Sequence, residues 1–216
     1  MYAPKEIQPA VLNIDFVKEL IRQAHELGIG KREIGFYIAG EAFLYNGLED
    51  IIAYAKELGF KYTFLTTNGA LATPKKMQAV LRAGLDSIRF SVNASDREMY
   101  REIHGKDDYD IVLENIIEMH KYIEENHLNV ATALSCVITK KTIGIEKQIH
   151  PIFDPYFDDI MIAPVMLTRL TNMTEVKEKY EVIEDDDAIV NPDFICPLLF
   201  KTMYINAYGR VMPFVV

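Results

Sequence analysis

Cysteine is scarce, and basic residues are outnumbered. Cys136 and Cys196 are the only cysteines in 216 residues, so the chain cannot build a disulfide framework. Lys and Arg total 23 against 32 Asp and Glu, which gives a formal net charge of −9. A general nucleic-acid binder needs a basic surface to displace counterions from phosphates. The charge balance therefore argues against that class of protein.

Long apolar runs are also missing. None approaches the roughly 18 residues of a membrane-spanning helix, and residues 1–6 lack the pattern of a secretory signal. We therefore expect no membrane association and a cytoplasmic location. The chain is nevertheless 50% hydrophobic. At this length, that composition predicts one main domain with a sizeable buried core.

Short apolar runs rich in β-branched and aromatic residues alternate with amphipathic helical patterns. The first helix is predicted to begin at Asn13 and to end at Gly28. Capping-box patterns predict two further helix starts, at Asn46 and at Ser95. Strands are predicted at residues 33–38, 62–67, 87–93, 130–138 and 160–165, and further helices at 73–84, 110–126 and 142–149. The alternation implies right-handed parallel crossovers, as in a barrel or a doubly wound sheet.

Small and polar residues follow three of the predicted strands at near-regular spacing. In proteins built from βα repeats, ligands bind at this edge of the sheet, because short side chains and free amides allow close approach. The three segments are Ile38-Ala39-Gly40-Glu41-Ala42, Leu65-Thr66-Thr67-Asn68-Gly69 and Phe90-Ser91-Val92-Asn93-Ala94. They are the first candidates for a binding site.

The C-terminal part of the chain breaks the βα rhythm. Residues 166–195 form a predicted connecting segment that contains an acidic run at 184–187. Residues 203–206 and 211–214 flank Tyr208-Gly209, which predicts a β-hairpin. We therefore divide the chain into a main domain at 1–165, the connecting segment and a small extension at 196–216.

The order and spacing of these motifs resemble the radical S-adenosylmethionine (radical SAM) superfamily. The motifs that carry the resemblance are Gly40-Glu41, Thr67-Asn68-Gly69, Ser91-Val92-Asn93, Tyr100 and Ile103-His104-Gly105. In the extension, Cys196-Pro197-Leu198, Tyr204-Ile205-Asn206 and Gly209-Arg210-Val211 are similar to the start of a SPASM or twitch domain. The chain departs from the superfamily pattern at Ala39, Ala42 and Asn93, where many members carry Gly, Pro and Asp.

The resemblance implies a fold and a reaction. The fold would be α/β, a partial (β/α)6 TIM-like barrel with parallel strands and outer helices, followed by a C-terminal β-hairpin. The reaction would be reductive cleavage of S-adenosylmethionine to a 5′-deoxyadenosyl radical, which abstracts hydrogen from a peptide or small-molecule substrate. The implied cofactors are S-adenosylmethionine and a 4Fe–4S cluster. The implied partners are the substrate and a reductant protein such as flavodoxin or ferredoxin.

The resemblance also assigns binding residues. Gly40 and Glu41 would receive the methionyl ammonium of the cofactor, since a cation at a strand end needs acceptors and glycine allows close approach. Ser91 and Asn93 would hold its ribose or carboxylate. Thr67 and Asn68 would bind the cofactor at the same edge. Each pair also has a simpler interpretation as a turn or a helix cap.

The cluster motif of the superfamily, C-x3-C-x2-C, is absent from the 216 residues. We therefore expect a fragment of a longer protein that is inactive by itself, with Cys196 as an auxiliary-cluster ligand only in the complete protein. No catalytic residue is assigned. Two alternatives remain open. One is a degenerate scaffold or binding domain without catalysis. The other is an unrelated barrel enzyme such as an aldolase, although the strand-end motifs lack the Lys of a Schiff base.

Overall fold

A single parallel sheet organises the protein, as described by a computed structural model for residues 10–37, 40–164 and 201–212. Its five strands are hydrogen-bonded in chain order: β1 Ile34–Phe36, β2 Thr63–Thr67, β3 Ser87–Ser91, β4 Ala131–Ile138 and β5 Asp159–Pro164. The helices are α1 Ile14–Glu26, α2 Leu48–Glu57, α3 Pro74–Arg82, α4 Arg97–His104, α5 Tyr109–Glu125 and α6 Glu146–Phe153. Asn13 caps α1 as predicted.

One face of the sheet carries the hydrophobic core. Strands that succeed one another in chain order through right-handed crossovers place their helices on the same side of the sheet. Leu65, Phe90 and Leu134 point to that side and are fully buried. They share one cluster with helical residues such as Ile52 and Ile116. This singly wound parallel arrangement is that of a partial (β/α) barrel, so the predicted fold class is confirmed.

The opposite face, here called the inner face, is lined by the alternate residues of each strand. The register aligns Thr66 with Arg89 and Arg89 with Ala133 in one row across β2, β3 and β4. Ser91 and Ser135 lie opposite each other in the next row, towards the C-terminal ends of the strands. Residues that follow the strands therefore gather at one edge, directly above the inner face.

Two predicted helix starts are wrong by one residue. Helix α2 is capped by Gly47 and not by Asn46. Gly47 has a φ of 82°, and a Cβ there would lie 2.7 Å from Ile14 Cδ1, so glycine fits best at the cap. Helix α4 is capped by Asp96, whose carboxylate accepts the Met99 N–H, while Ser95 is buried. In both cases two neighbouring residues could cap the helix, and tertiary packing determines which of them does.

The predicted helix at 142–149 also begins later than expected. A one-turn 3₁₀ helix, Lys140–Thr142, is separated from α6 by Gly144, whose φ of 86° interrupts helical geometry. A second one-turn 3₁₀ helix, Asp154–Tyr156, follows α6 and leads into β5.

The predicted hairpin near the C-terminus is confirmed within the described range. Strands β6 Tyr204–Ile205 and β7 Val211–Met212 pair antiparallel, and Gly209 turns between them with a φ of 75°. A Cβ on Gly209 would lie 3.1 Å from Phe16 Cε1, so the hairpin tip contacts α1. The predicted connecting segment at 166–195 and Cys196 lie outside the described residues. Within the described ranges, no helix is both long and apolar enough to cross a membrane.

Candidate functional site

The Glu41 carboxylate ties the ends of two neighbouring strands together. After β1, the chain forms a one-turn 3₁₀ helix, Ala42–Leu44, which Glu41 caps. Glu41 Oε1 accepts the Phe43 N–H at 3.1 Å and the Thr67 hydroxyl at 2.6 Å. Oε2 accepts the Asn68 N–H at 2.8 Å. The carboxylate is therefore fixed at the C-terminal end of β2 by three donors of the chain itself.

The turn after β2 is held from both sides. The Thr67 hydroxyl also accepts the Gly69 N–H at 3.0 Å, and Asn68 Oδ1 accepts the Ala70 N–H at 3.0 Å. From α5, the buried Asn115 side chain donates to the Gly69 carbonyl at 2.8 Å. Since Thr67 is buried and its only hydroxyl proton goes to Glu41, this side chain serves to position Glu41.

Asn115 was missed by the sequence analysis. It lies on α5 between Val112 and Met119, three residues after the first and four before the second, on the apolar face of that helix. A polar residue at helical spacing within an apolar face was the available signal.

Gly40 borders open space. No atom of the described chain lies within 4 Å of the position that a Cβ would occupy on Gly40, and the residue needs no positive φ. Neither packing against the described residues nor backbone conformation therefore requires glycine there. A ligand that approaches the backbone next to Glu41 would be a reason for the missing side chain.

Ser91 lies opposite a second serine. Its hydroxyl oxygen is 3.3 Å from Ser135 Oγ, in line with the register that pairs β3 and β4. Ser135 was not predicted as a site residue. A small polar residue within the apolar run 134–138, two strand positions before Val137, was the signal that could have identified it.

Asn93 connects the end of β3 to β4 and to α4. Its Oδ1 accepts the Val137 N–H at 2.8 Å, and its own N–H donates to His104 Nε2 at 3.4 Å. Burial lowers the pKa of His104, which favours the neutral ring that can accept this bond. The His104 ring also stacks on Tyr100, with ring centroids 4.2 Å apart. Asn93 therefore has a structural role besides any contact with a ligand.

The predicted residues meet at one edge of the sheet. Glu41 bonds directly to Thr67 and Asn68 at the end of β2. Thr67 is in register with Phe90, the residue before Ser91. Since adjacent strands lie about 4.8 Å apart, β1 and β3 are separated by roughly 10 Å. That spacing fits a single site of small-molecule size.

The chemistry of this edge fits S-adenosylmethionine. A carboxylate has about four acceptor positions, and Glu41 uses three of them internally, so one can receive an ammonium. The hydroxyls of Ser91 and Ser135 and the amide of Asn93 suit a ligand that carries hydroxyl and carboxylate groups.

The chain does not fit a 4Fe–4S cluster. Three thiolates are needed, and the sequence holds two cysteines. Burial raises the pKa of the Cys136 thiol to about 11, which keeps it protonated and marks it as a residue of the core. Among the residues that the structure describes, no group of three or more His, Cys, Asp or Glu side chains could hold a metal ion.

Comparison with known families decides which kind of domain this is. The Radical SAM superfamily matches residues 2–139. The chain belongs to the radical SAM superfamily. The enzymes of this superfamily use S-adenosylmethionine and a 4Fe–4S cluster as cofactors.

Two curated relatives are named as cyclases. The chain is 33% identical over 150 residues to the probable GTP 3′,8-cyclase of Sulfurisphaera tokodaii, which covers 67% of this chain and 45% of the relative. It is 34% identical over 101 residues to the GTP 3′,8-cyclase of Stenotrophomonas maltophilia, and this match covers 46% of this chain and 30% of the relative. The chain thus spans less than half the length of these relatives.

A solved structure shows the same fold. SuiB of Streptococcus suis, bound to S-adenosylmethionine, superposes with a TM-score of 0.66 at 16% identity. The superposition covers 97% of this chain and 54% of that chain. It supports the partial-barrel architecture.

Proposed function

We propose that this chain binds S-adenosylmethionine at the C-terminal edge of its sheet, as the core of a radical SAM enzyme. The observation that carries the proposal is the Glu41 carboxylate, fixed at that edge beside the open space at Gly40. When bound and reduced, the cofactor supplies the group that abstracts hydrogen from a substrate. The electron would come from a reductant protein such as flavodoxin or ferredoxin, and the compartment would be the cytoplasm.

The residues of the chain have separate roles in this proposal. Glu41 holds the ammonium of the cofactor, and the Gly40 backbone lies against it. Ser91 and Asn93 hold the ribose or the carboxylate. Thr67 and Asn68 keep the Glu41 carboxylate in place, so that no reorganisation is needed when the cofactor binds.

Two substrates are candidates. GTP is the first, because the cyclases that resemble this chain act on it by name and the identity reaches 33% over 150 residues. A peptide is the second, favoured by the β6–β7 hairpin, which lies where a SPASM or twitch extension would begin. Calorimetric titration of GTP and of candidate peptides separates the two.

The cofactor site is tested with Glu41→Gln, assayed by calorimetric titration of S-adenosylmethionine into the anaerobically purified protein. Loss of a charge-assisted bond, about 1.5–3 kcal/mol, should weaken binding about ten- to a hundredfold. In either orientation, the new amide NH2 faces the N–H of Phe43 or Asn68, so the melting temperature should fall as well.

Thr67→Val is the matched control, because it removes one bond to Glu41 and keeps the charge. It should lower the melting temperature with a smaller loss of affinity than Glu41→Gln. Ser91→Ala should also weaken binding less, since a neutral hydrogen bond contributes about 1 kcal/mol. Wild-type affinity in Glu41→Gln would refute the assignment.

A further inference from the structure

Arg89 places a positive charge on the inner face of the sheet. It is the middle residue of β3, and the register puts it between Thr66 of β2 and Ala133 of β4. Its side chain is exposed, whereas its chain neighbours Ile88 and Phe90 are buried on the helical side. A long cation therefore stands between two small residues, on a face that parallel sheets normally cover.

No carboxylate in the described ranges lies within ion-pair distance of Arg89. Arg22, Arg97 and Arg101, by contrast, each pair with one or two acidic side chains. Arg89 and Tyr37 line the same depression of the sheet. Burial raises the pKa of Tyr37, Tyr204 and Glu33 raise it further, and the positive charge of Arg89 opposes the rise.

Arg89 also lines a depression in the inner face. The other lining residues include Tyr37, Phe64, Thr66, Ser87 and Ala133. The two aromatic rings lie 5.3 Å apart between centroids and form an apolar wall beside the guanidinium. Along β3, Arg89 lies two residues before Ser91, a rise of about 7 Å. The depression therefore lies on the inner face, below the proposed cofactor edge.

We infer that Arg89 binds an oxyanion of the substrate, either a phosphate or a carboxylate, in the depression beneath the proposed cofactor edge. This inference rests on the proposed function and specifies the substrate chemistry of the same site. A guanidinium presents a planar fork of donors that matches both oxyanions in bidentate geometry. On a protein of net charge −9, a local cation is also needed to admit an anionic substrate.

The test compares Arg89→Gln and Arg89→Lys with wild type by calorimetric titration. The probes are inorganic tripolyphosphate, GTP and a short peptide with a single glutamate. Arg82→Gln is the matched control, since it removes the same charge from the exposed side of α3, where the Arg82 guanidinium donates to the Tyr122 hydroxyl at 3.4 Å. Circular dichroism and thermal melting of each variant report on folding.

We expect Arg89→Gln to weaken oxyanion binding about ten- to a hundredfold and Arg82→Gln to leave it unchanged. Arg89→Lys should restore only part of the affinity, because a point charge cannot bind both oxygens. Binding of the phosphate probes alone identifies a nucleotide-type substrate, and binding of the peptide alone identifies a carboxylate. Wild-type affinity in Arg89→Gln, or a wild-type protein that binds no probe at millimolar concentration, would overturn the inference.

Cofactor affinity is measured on the same variants. Arg89→Gln should retain S-adenosylmethionine binding, since Arg89 lies below the cofactor edge. If wild type binds an oxyanion probe through Arg89 but fails to bind S-adenosylmethionine, the proposed function is wrong and the oxyanion site stands. The two failures are thereby distinguishable.

Discussion

At the scale of single residues, the proposed site is assembled from side chains that bond to one another without a ligand. Glu41 is fixed by Thr67 and Asn68, and Asn93 is fixed by Val137. Because these bonds already hold the side chains in place, ligand binding costs less conformational entropy. They also mean that substitutions at these positions change stability together with binding. A position that affects binding alone is therefore the more informative one.

Gly40 is that position. With no described atom within 4 Å of a new Cβ and no positive φ, Gly40→Ala should leave stability unchanged or raise it by about 0.4–1 kcal/mol. If the cofactor lies against this backbone, the methyl group should displace a hydrogen bond worth about 1 kcal/mol, about a fivefold loss of affinity. Calorimetric titration and thermal melting measure the two effects separately.

Gly69→Ala provides the contrast. Gly69 has a φ of 83°, and a Cβ there would lie 2.9 Å from the Phe90 ring. That variant should lose stability. Wild-type cofactor affinity in a well-folded Gly40→Ala would contradict the placement of the cofactor beside Gly40.

At the scale of elements, strands were easier to predict than helix starts. Short runs of β-branched and aromatic residues are a strong signal for buried strands. β2 and β4 accordingly lie within one residue of their predicted bounds. The position of a helix cap depends on one residue and its tertiary contacts. The packing of Ile14 against Gly47 cannot be predicted from the local sequence. The bonds from Asn115 to Gly69 and from Asn93 to Val137 join distant segments. Local patterns carry no information about them.

Asp86, the residue before β3, bonds to α2 and β2 at the opposite edge of the sheet. Its carboxylate accepts Lys56 Nζ of α2 at 2.8 Å, and the N–H and hydroxyl of Thr63 in β2 at 2.7 and 2.9 Å. Burial alone would raise the pKa of Asp86, but these bonds outweigh it and lower the pKa. The bonds therefore stabilise the fold above the unfolded-state pKa of about 4, and this contribution is lost as pH falls through the lower folded-state value.

Asp86→Asn should therefore lower the free energy of unfolding at pH 7 by roughly 1–3 kcal/mol. The difference from wild type should shrink as pH falls below about 4, where the unfolded-state carboxyl is protonated first, and should be smallest below the lower folded-state pKa. Urea denaturation at pH 7 and pH 3 measures both values. Asp110→Asn, at an exposed residue with one ion pair at 3.4 Å, should have little effect at either pH. A pH-independent difference would show that the charge of Asp86 is unimportant.

At the scale of the whole molecule, the two faces of the sheet differ in chemistry and in role. The helical face is apolar and holds the core, while the inner face carries Arg89, Ser91 and Ser135 below the edge that holds Glu41. A singly wound parallel sheet produces this division, because every crossover helix covers the same side. The positions of the proposed cofactor edge and of the inferred oxyanion site then follow from strand direction and register.

The whole chain also sets a limit on the chemistry that it can perform by itself. Anaerobic reconstitution of the 216-residue chain with iron and sulfide should yield no stable 4Fe–4S cluster, because three thiolates are required and two cysteines are present. Cys136 is further disqualified by burial, which raises its thiol pKa to about 11. Iron and sulfide analysis and the EPR spectrum after reduction are the measurements, with Cys196→Ser as the control for iron held by that thiol alone. A stoichiometric cluster on the chain would show that its ligands are other than the thiolates of the superfamily motif.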